Sequence, residues 1–285
     1  FFQAEDGIRD YYASRGSEMC IRDSTISCLC VKELPEEGSA AVEDTQKPKN
    51  DKIGFVESLK LLISNKYYIL IVAIYIVYYF MSNLTTGSAI YFMKHVLGNG
   101  SLLGLFSMMK MFPVIIALIF TPILVKKTGS MQKVNFWGYV ISDILGIFLI
   151  IFAMQKNLPM MLLFMFLKGT FAGTMSGTLN ALIAEISGYT YRTKGVHIDG
   201  MMFSCSSLGV KVGGGIGTAA VGWLLHAAGY AGKAATQTVA ATNMIFSMYI
   251  TIPVILGVVI TILLGLMKVE KENKRIDMER AEQAD

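Results

Sequence analysis

The chain is poor in charge. Asp, Glu, Lys and Arg make up 16% of its 285 residues, against roughly 25% in an ordinary soluble domain, which argues against a freely soluble globular fold. Metal-binding and disulfide chemistry are equally thin. His95, His197 and His226 lie far apart, and the four cysteines, Cys20, Cys28, Cys30 and Cys205, show no framework spacing. Cys28 and Cys30, with one residue between them and no further Cys or His nearby, make a poor zinc site, so free thiols and no structural metal are expected. No Gly-rich phosphate loop followed by Lys-Ser/Thr occurs, and no nucleophile is spaced with a base. No catalytic residue is therefore assigned, and an enzyme is not expected. The formal net charge of +4 is spread over separate loops rather than gathered in one basic patch, so no nucleic-acid partner is expected.

What the chain has in abundance is hydrocarbon: 53% of its residues are hydrophobic and the mean hydropathy is +0.52. Six apolar runs reach the roughly 20 residues that a membrane-spanning helix needs: 67–92, 101–125, 134–154, 160–184, 200–225 and 243–267. All six read as helices, because a barrel would show short alternating segments. With the N-terminal side in the cytoplasm, Lys52, Lys60, Lys66, Lys126, Lys127, Lys133, Arg192, Lys194, Lys268, Lys271, Lys274 and Arg275 fall inside, and Lys94, Lys156 and Lys233 fall outside. This positive-inside bias places both ends of the helical unit in the cytoplasm.

The flanks divide by composition. Residues 1–24 have no continuous apolar core, so they are neither a signal peptide nor a span; they resemble translated sequencing-adapter sequence and are read as non-native or disordered. Residues 25–33 look like the end of a helix that began earlier. Residues 34–66 read as a cytoplasmic linker, acidic and rich in Pro and Gly at first. Its end is either a short amphipathic helix carrying Phe55, Leu59, Leu62 and Ile63 or an extension of the first span. A six-helix bundle then occupies 67–267, with a charged cytoplasmic loop at 185–200, and 268–285 reads as a solvated charged tail.

Several polar residues lie at membrane depth, where an ionisable group is a functional-site hypothesis by default. Ser204, Ser207 and Lys211 are three and four residues apart in the fifth run and share one helix face. Lys211 lies about eleven residues into its span, roughly 16 Å at 1.5 Å per residue, too deep for its side chain to reach the interface. Lys110, just before Pro113, Asp143 and Lys168 are similarly deep. In the first run Asn83, Thr85, Thr86 and Ser88 either bridge helices or line a path for a hydroxylated solute. Gly169, Gly173 and Gly177, and Gly209, Gly213 and Gly217, recur every four residues. They read as close-packing faces, with sliding of smooth helix faces during transport as the alternative.

Residues 184–230, "AEISGYTYRTKGVHIDGMMFSCSSLGVKVGGGIGTAAVGWLLHAAGY", resemble the glycoside-pentoside-hexuronide:cation symporters, melibiose-permease-like members of the major facilitator superfamily. That family's Ala-Asp-x-x-Asp-Tyr is matched in form by Ala184, Glu185 and Tyr189. Its Gly-x-Arg-x-Glu-Gly is matched by Gly195, Asp199 and Gly200, its helix-borne Lys by Lys211, and its closing Gly-Tyr by Gly229 and Tyr230. "GSAIYFMKHVLG" looks like the family's seventh helix and "VKE" at 31–33 like the end of its sixth. Glu185, Gly188 and His197 depart from the pattern, which alters the loop's charge network, and Ser206 and Ser207 stand before the Lys where melibiose permease looks to have Gln and Thr.

The resemblance implies an all-α membrane protein: six transmembrane helices forming the C-terminal bundle, a 3+3 inverted repeat, of a major facilitator fold. The other partner it implies is an N-terminal six-helix bundle without counterpart here, for which truncation is the simplest explanation. The expected function is alternating-access symport of a sugar or related solute with a cation in the plasma or inner membrane. Lys211, Ser207, Ser204, Lys110, Asn83 and Thr86 are candidate solute contacts. Glu185, Tyr189, Arg192, Asp199, Asp143 and Lys168 are candidates for gating and charge balance. No cofactor is expected to be tightly bound, and the coupling cation, Na+ or H+, is expected mainly on the first-half helices. A homodimeric half-transporter, a lysolipid-type transporter and a non-transporting membrane scaffold remain open alternatives.

Overall fold

The computed structural model describes residues 60–195, 199–232, 234 and 236–284. Expectations for residues 1–59 therefore lie outside the described residues, and so does His197.

Six helices among the described residues are long and apolar enough to cross a membrane. α1 runs Lys66–Tyr91 and continues through a π-turn, Phe92–Val96. Its start is fixed by Asn65, whose side chain accepts the backbone N–H of Tyr67, supplying one of the partners that a helix N-terminus lacks. α2, Leu102–Thr128, ends at Gly129, whose φ of 66° is the left-handed geometry that closes a helix at low cost for glycine. α3, Met131–Met154, starts on the Ser130 cap. α4 comprises Leu158–Ala172 and, after Gly173, Thr174–Lys194. α5 comprises Asp199–Leu208, a π-turn at Gly209–Gly213, and Gly214–Ala227. α6 comprises Val239–Phe246, a π-turn at Ser247–Thr251, and Ile252–Leu266. α7, Val269–Ala284, is short and polar.

The two glycine stripes close two helix pairs. On α4, a Cβ at Gly169 would lie 3.1 Å from the Pro113 ring of α2, and one at Gly173 2.8 Å from Ala117. On α5, Gly209 abuts Tyr75 and Gly213 abuts the Ile76 backbone, while a Cβ at Gly217 would come within 2.6 Å of the Phe80 carbonyl of α1. Without side chains in between, the backbones approach closely enough for dispersion to hold them where no hydrophobic effect operates. Close packing is thus the geometry these glycines serve.

Two apolar clusters fill the bundle. One gathers Tyr67, Ile71 and Ile74 with Leu182, Ile186, Leu264 and Val269 near one end. The other gathers Leu84, Phe92 and Met93 with Leu149, Met161, Ile245 and Met248 near the opposite end.

Two expectations are corrected. The loop expected at 185–200 is helical through Lys194, because nothing breaks the helix before Gly195 and its inner face, Ile186, Ser187 and Thr190, is buried. The tail expected at 268–285 to be merely solvated is instead a docked helix whose Val269, Glu270 and Asn273 are buried. Its polar face has specific partners. The Glu270 carboxylate accepts from the Ser130 hydroxyl and from the Gln132 backbone N–H at 2.9 Å, so it satisfies and electrostatically complements the N-terminus of α3. Asn273 donates to the backbone and carboxylate oxygens of Glu185, both at 3.0 Å.

Candidate functional site

Between the two apolar clusters lies a cavity of about 180 Å³. α1 lends it Tyr78, Ser82 and Thr85; α2 lends Phe106 and Lys110; α4 lends Met165, Lys168 and Ser176; Tyr139 of α3 and Tyr249 of α6 complete the polar lining. Tyr249 sits in the π-turn of α6, a local widening that re-aims side chains and recurs at functional sites.

The polar groups are held from different helices. The Lys110 ammonium donates to the Thr86 hydroxyl at 2.8 Å, and that hydroxyl in turn donates to the Ser82 carbonyl at 2.8 Å. This joins α2 to α1 at the cavity rim. The Tyr78 hydroxyl and Ser176 hydroxyl are 2.8 Å apart, joining α1 to α4. Lys168 enters from α4 beside Gly146, where an added Cβ would lie 3.6 Å from its Nζ. One turn earlier on α3 stands Asp143, 8% exposed. Its Oδ2 accepts from the Thr261 hydroxyl of α6 at 2.7 Å, and its Oδ1 is buried against Gly257 without a hydrogen bond among the described residues. The hydroxyl of Tyr139, a turn before Asp143, is likewise buried, with no hydrogen bond among the described residues.

Of the expected solute contacts, Lys110 lines this cavity, and Thr86 is bonded to it without being part of the lining. Asn83 does not join them: its amide donates to the Tyr79 carbonyl at 2.9 Å and its side chain packs on Gly214 and Gly217 of α5. Thr85 and Ser88 likewise return hydrogen bonds to carbonyls of their own helix, the usual way such hydroxyls are satisfied in hydrocarbon. Ser204, Ser207 and Lys211 are exposed on α5 and line no part of the cavity. Ser204 donates to the Met201 carbonyl at 2.6 Å, and Lys211, inside the π-turn of α5, has no hydrogen bond or ion pair among the described residues.

The expected charge network divides in two. Lys168 lines the cavity, and Asp143 stands behind that lining on α3. Glu185, Tyr189 and Arg192 belong to the far end of α4, where α7 supplies partners to Glu185 and Arg192. Arg192 pairs with Asp277 at 2.7 Å and donates a second bond at 3.0 Å. The guanidinium holds the Asp277 carboxyl below its usual range, first through that hydrogen bond. Tyr189 meets Tyr67 edge to face at 5.1 Å. The side chain of Asp199 lies outside the described residues.

Sequence reasoning passed over Tyr78, Tyr139, Ser176 and Tyr249. Tyr78, Ser82 and Thr85 were detectable, since steps of four and three put them on one helix face. Tyr249 was not, because its direction depends on a π-turn that no local motif announces. Two segments of the family resemblance do meet: Tyr230 contacts Tyr91 edge to face at 5.4 Å and its hydroxyl lies 3.2 Å from His95 Nε2.

Six membrane-length helices among the described residues define a multi-pass membrane protein, with a cavity inside its helical bundle. A profile of the MFS/sugar transport protein family matches residues 23–271. The chain belongs to that family, and within it to the glycoside-pentoside-hexuronide:cation symporters. It is 26% identical over 230 residues to an isoprimeverose transporter of Lactiplantibacillus pentosus, covering 81% of this chain and 47% of that protein. It is 24% identical over 235 residues to the putative glycoside/cation symporter YagG of Escherichia coli K12, covering 80% and 50%. A 29.9 kDa uncharacterised protein from Pseudescherichia vulneris is 26% identical over 174 residues, covering 60% and 62%. The chain spans about half the length of the two named transporters.

Proposed function

We propose that these helices are the C-terminal bundle of a secondary transporter that moves a sugar or related solute together with a cation by alternating access. The observation that carries this reading is the cavity where Lys110, Lys168, Tyr78 and Tyr249 converge at mid-span. Polar groups cost free energy at that depth and are retained where they serve a path or a substrate.

The helix pairing supports a 3+3 inverted repeat. Exchanging α1–α3 with α4–α6 maps the close α2–α4 contact onto α5–α1, and inverted repeats of this kind rock about a central site. The partner is a second six-helix bundle. Lys211, pointing away from α1, is positioned to meet that bundle or the solute held between the two. Na+ or H+ is the coupling ion, bound mainly by carboxylates of the other bundle. Both ends of this bundle lie in the cytoplasm, in the plasma or inner membrane, as the loop charges favour.

The test is solute counterflow in inner-membrane vesicles bearing the full-length protein, using radiolabelled glycosides that include isoprimeverose, with imposed Na+ or proton gradients. Gradient-driven accumulation of a glycoside, abolished by Lys211→Ala, is the expected result. No counterflow of any glycoside under either gradient overturns the reading. Accumulation with Lys211→Ala that keeps both affinity and cation dependence removes Lys211 from the path.

A further inference from the structure

We infer that the cavity is an anion-recognition subsite, in which Lys110 and Lys168 hold a carboxylate or phosphate carried by the solute. The inference rests on the transport reading above and narrows its substrate class from sugars in general to solutes bearing one anionic group.

The donor set points to this chemistry. Among the described residues, the side chains lining the cavity include two lysines and no Asp, Glu, Asn or Gln. A neutral sugar presents hydroxyls that both give and take hydrogen bonds, and a site built for one needs strong acceptors as well as donors. An ammonium donates three and accepts none. Of the hydroxyls on the wall, Tyr78 and Ser176 are engaged with each other, and Thr85 donates to the Met81 carbonyl at 2.8 Å. The Tyr139 hydroxyl adds neutral capacity, but the charged side chains of the described lining are two ammoniums, and their complement is an acceptor with negative charge.

Among the described residues neither lysine has an ion pair or hydrogen bond with a carboxylate. Thr86 occupies one of the three Lys110 donors and brings no charge. Asp143 is the acid nearest in the fold to Lys168, but no ion pair or hydrogen bond joins them. Oδ2 of Asp143 is taken by Thr261 of α6 and its Oδ1 is turned to Gly257. The titratable groups around the cavity are thus Lys110 of α2, Tyr78 of α1, Tyr139 and Asp143 of α3, Lys168 of α4 and Tyr249 of α6. Two of these described groups are lysines inside the lining, and the acid, Asp143, stands behind it.

Surroundings and size agree. Phe106, Val114, Leu149, Met161 and Met165 form an apolar wall, and attraction between opposite charges grows as water is excluded. At about 180 Å³ the cavity is below the roughly 300 Å³ at which pockets for whole drug-sized ligands begin. It has room for one charged group, and the rest of the solute extends past the Lys110 rim.

The test is binding without any ion gradient, by titration calorimetry on the detergent-solubilised full-length protein. The probes are methyl β-D-glucuronide for a carboxylate, glucose 6-phosphate for a phosphate, and methyl β-D-glucoside as the neutral counterpart. At least one anionic probe should bind ten-fold or more tightly than the neutral one, and which of the two does so separates the two anion types. Lys110→Met should lose ten-fold or more for that probe, with Lys110→Arg keeping most of it. Lys110 lies on the cavity rim, so its variants test the site even if Lys168→Met fails to fold. Equal binding of neutral and anionic probes, or undiminished anion binding by Lys110→Met, overturns the inference. Anion binding without gradient-driven uptake would instead sink the transport reading and leave the subsite standing. Gradient-driven uptake of the neutral glucoside with no anion binding would do the reverse.

Discussion

α4 and α5 carry the same device and use it differently. Each has glycine every fourth residue and one lysine close to that stripe, yet Lys168 enters the bundle and Lys211 points out of it. The register explains the difference. Successive residues of a helix are about 100° apart, so Lys168, one residue before Gly169, flanks the stripe and looks along the groove between α2 and α3. Lys211, two residues after Gly209 and two before Gly213, lies about half a turn away, opposite the face buried on α1. A glycine stripe fixes which face of a helix its neighbour takes, and one residue of offset decides whether a nearby charge is enclosed or presented outward.

The stripes also differ in what they touch, which gives the largest expected effect. A Cβ on Gly213 meets the Ile76 backbone, with the Cα at 3.0 Å, whereas one on Gly177 meets only the tip of Leu118 at 2.7 Å. Backbone cannot step aside and a leucine terminus can. Gly213→Ala should therefore cost about 3 kcal/mol or more, the upper range for overpacking. Gly177→Ala should come out within about 1 kcal/mol, its smaller clash offset by the helix propensity that alanine gains over glycine. Thermal unfolding of the two variants in detergent decides it, and equal losses would mean that the α5 contact is no more rigid than the α4 contact.

The same contrast shows how far the residues alone can be read. Membrane helices, their number and both glycine stripes were legible because each is a property of one segment: hydrophobic length, or a repeat every four residues. Lys110, Lys168 and Asp143 were legible as anomalies, since charge at that depth is conspicuous. Their grouping was not, because it depends on how α2, α3, α4 and α6 rotate about their axes. Lys211 shows the limit most clearly. Its depth, and a face shared with Ser204 and Ser207, suggested the same cavity, but a helix face defined within one segment does not say which neighbour it meets. The docked α7 escaped for a similar reason. Glu270, Asn273 and Asp277 look like ordinary solvated charges until the N-terminus of α3 and the end of α4 supply their partners.

A second contrast lies inside the cavity. Lys168 and Asp143 are neighbours across α4 and α3 without direct contact, so their interaction should be measurable yet less than that of a bonded pair. Lys168→Met removes an ammonium that opposes the Asp143 charge without being bonded to it, so the loss should stay below the roughly 3 kcal/mol that breaking a directly paired buried ion costs. In an Asp143→Asn background the same substitution should cost less, with a coupling of about 1 kcal/mol between the two sites. A double-mutant cycle on thermal stability gives this number directly. Strict additivity would show that Lys168 and Asp143 are independent, and that the cavity carries its positive charge without help from the acid behind it.

Lys211 supplies the smallest expected effect and the sharpest separation of folding from function. Its side chain is exposed and has no bonded partner among the described residues, so Lys211→Met removes nothing that holds α5 on α1. Stability should shift by no more than about 0.5 kcal/mol, as for a surface change away from any packed feature. Counterflow, by contrast, should fall to background if the outward face of α5 meets the solute or the second bundle. A large loss of stability would show that Lys211 is already committed within this bundle, and the assignment of the two lysines to opposite faces would have to be reversed. Unchanged stability with lost counterflow would locate its partner outside these six helices. The glycine register would then be the reason this cation is free to find it.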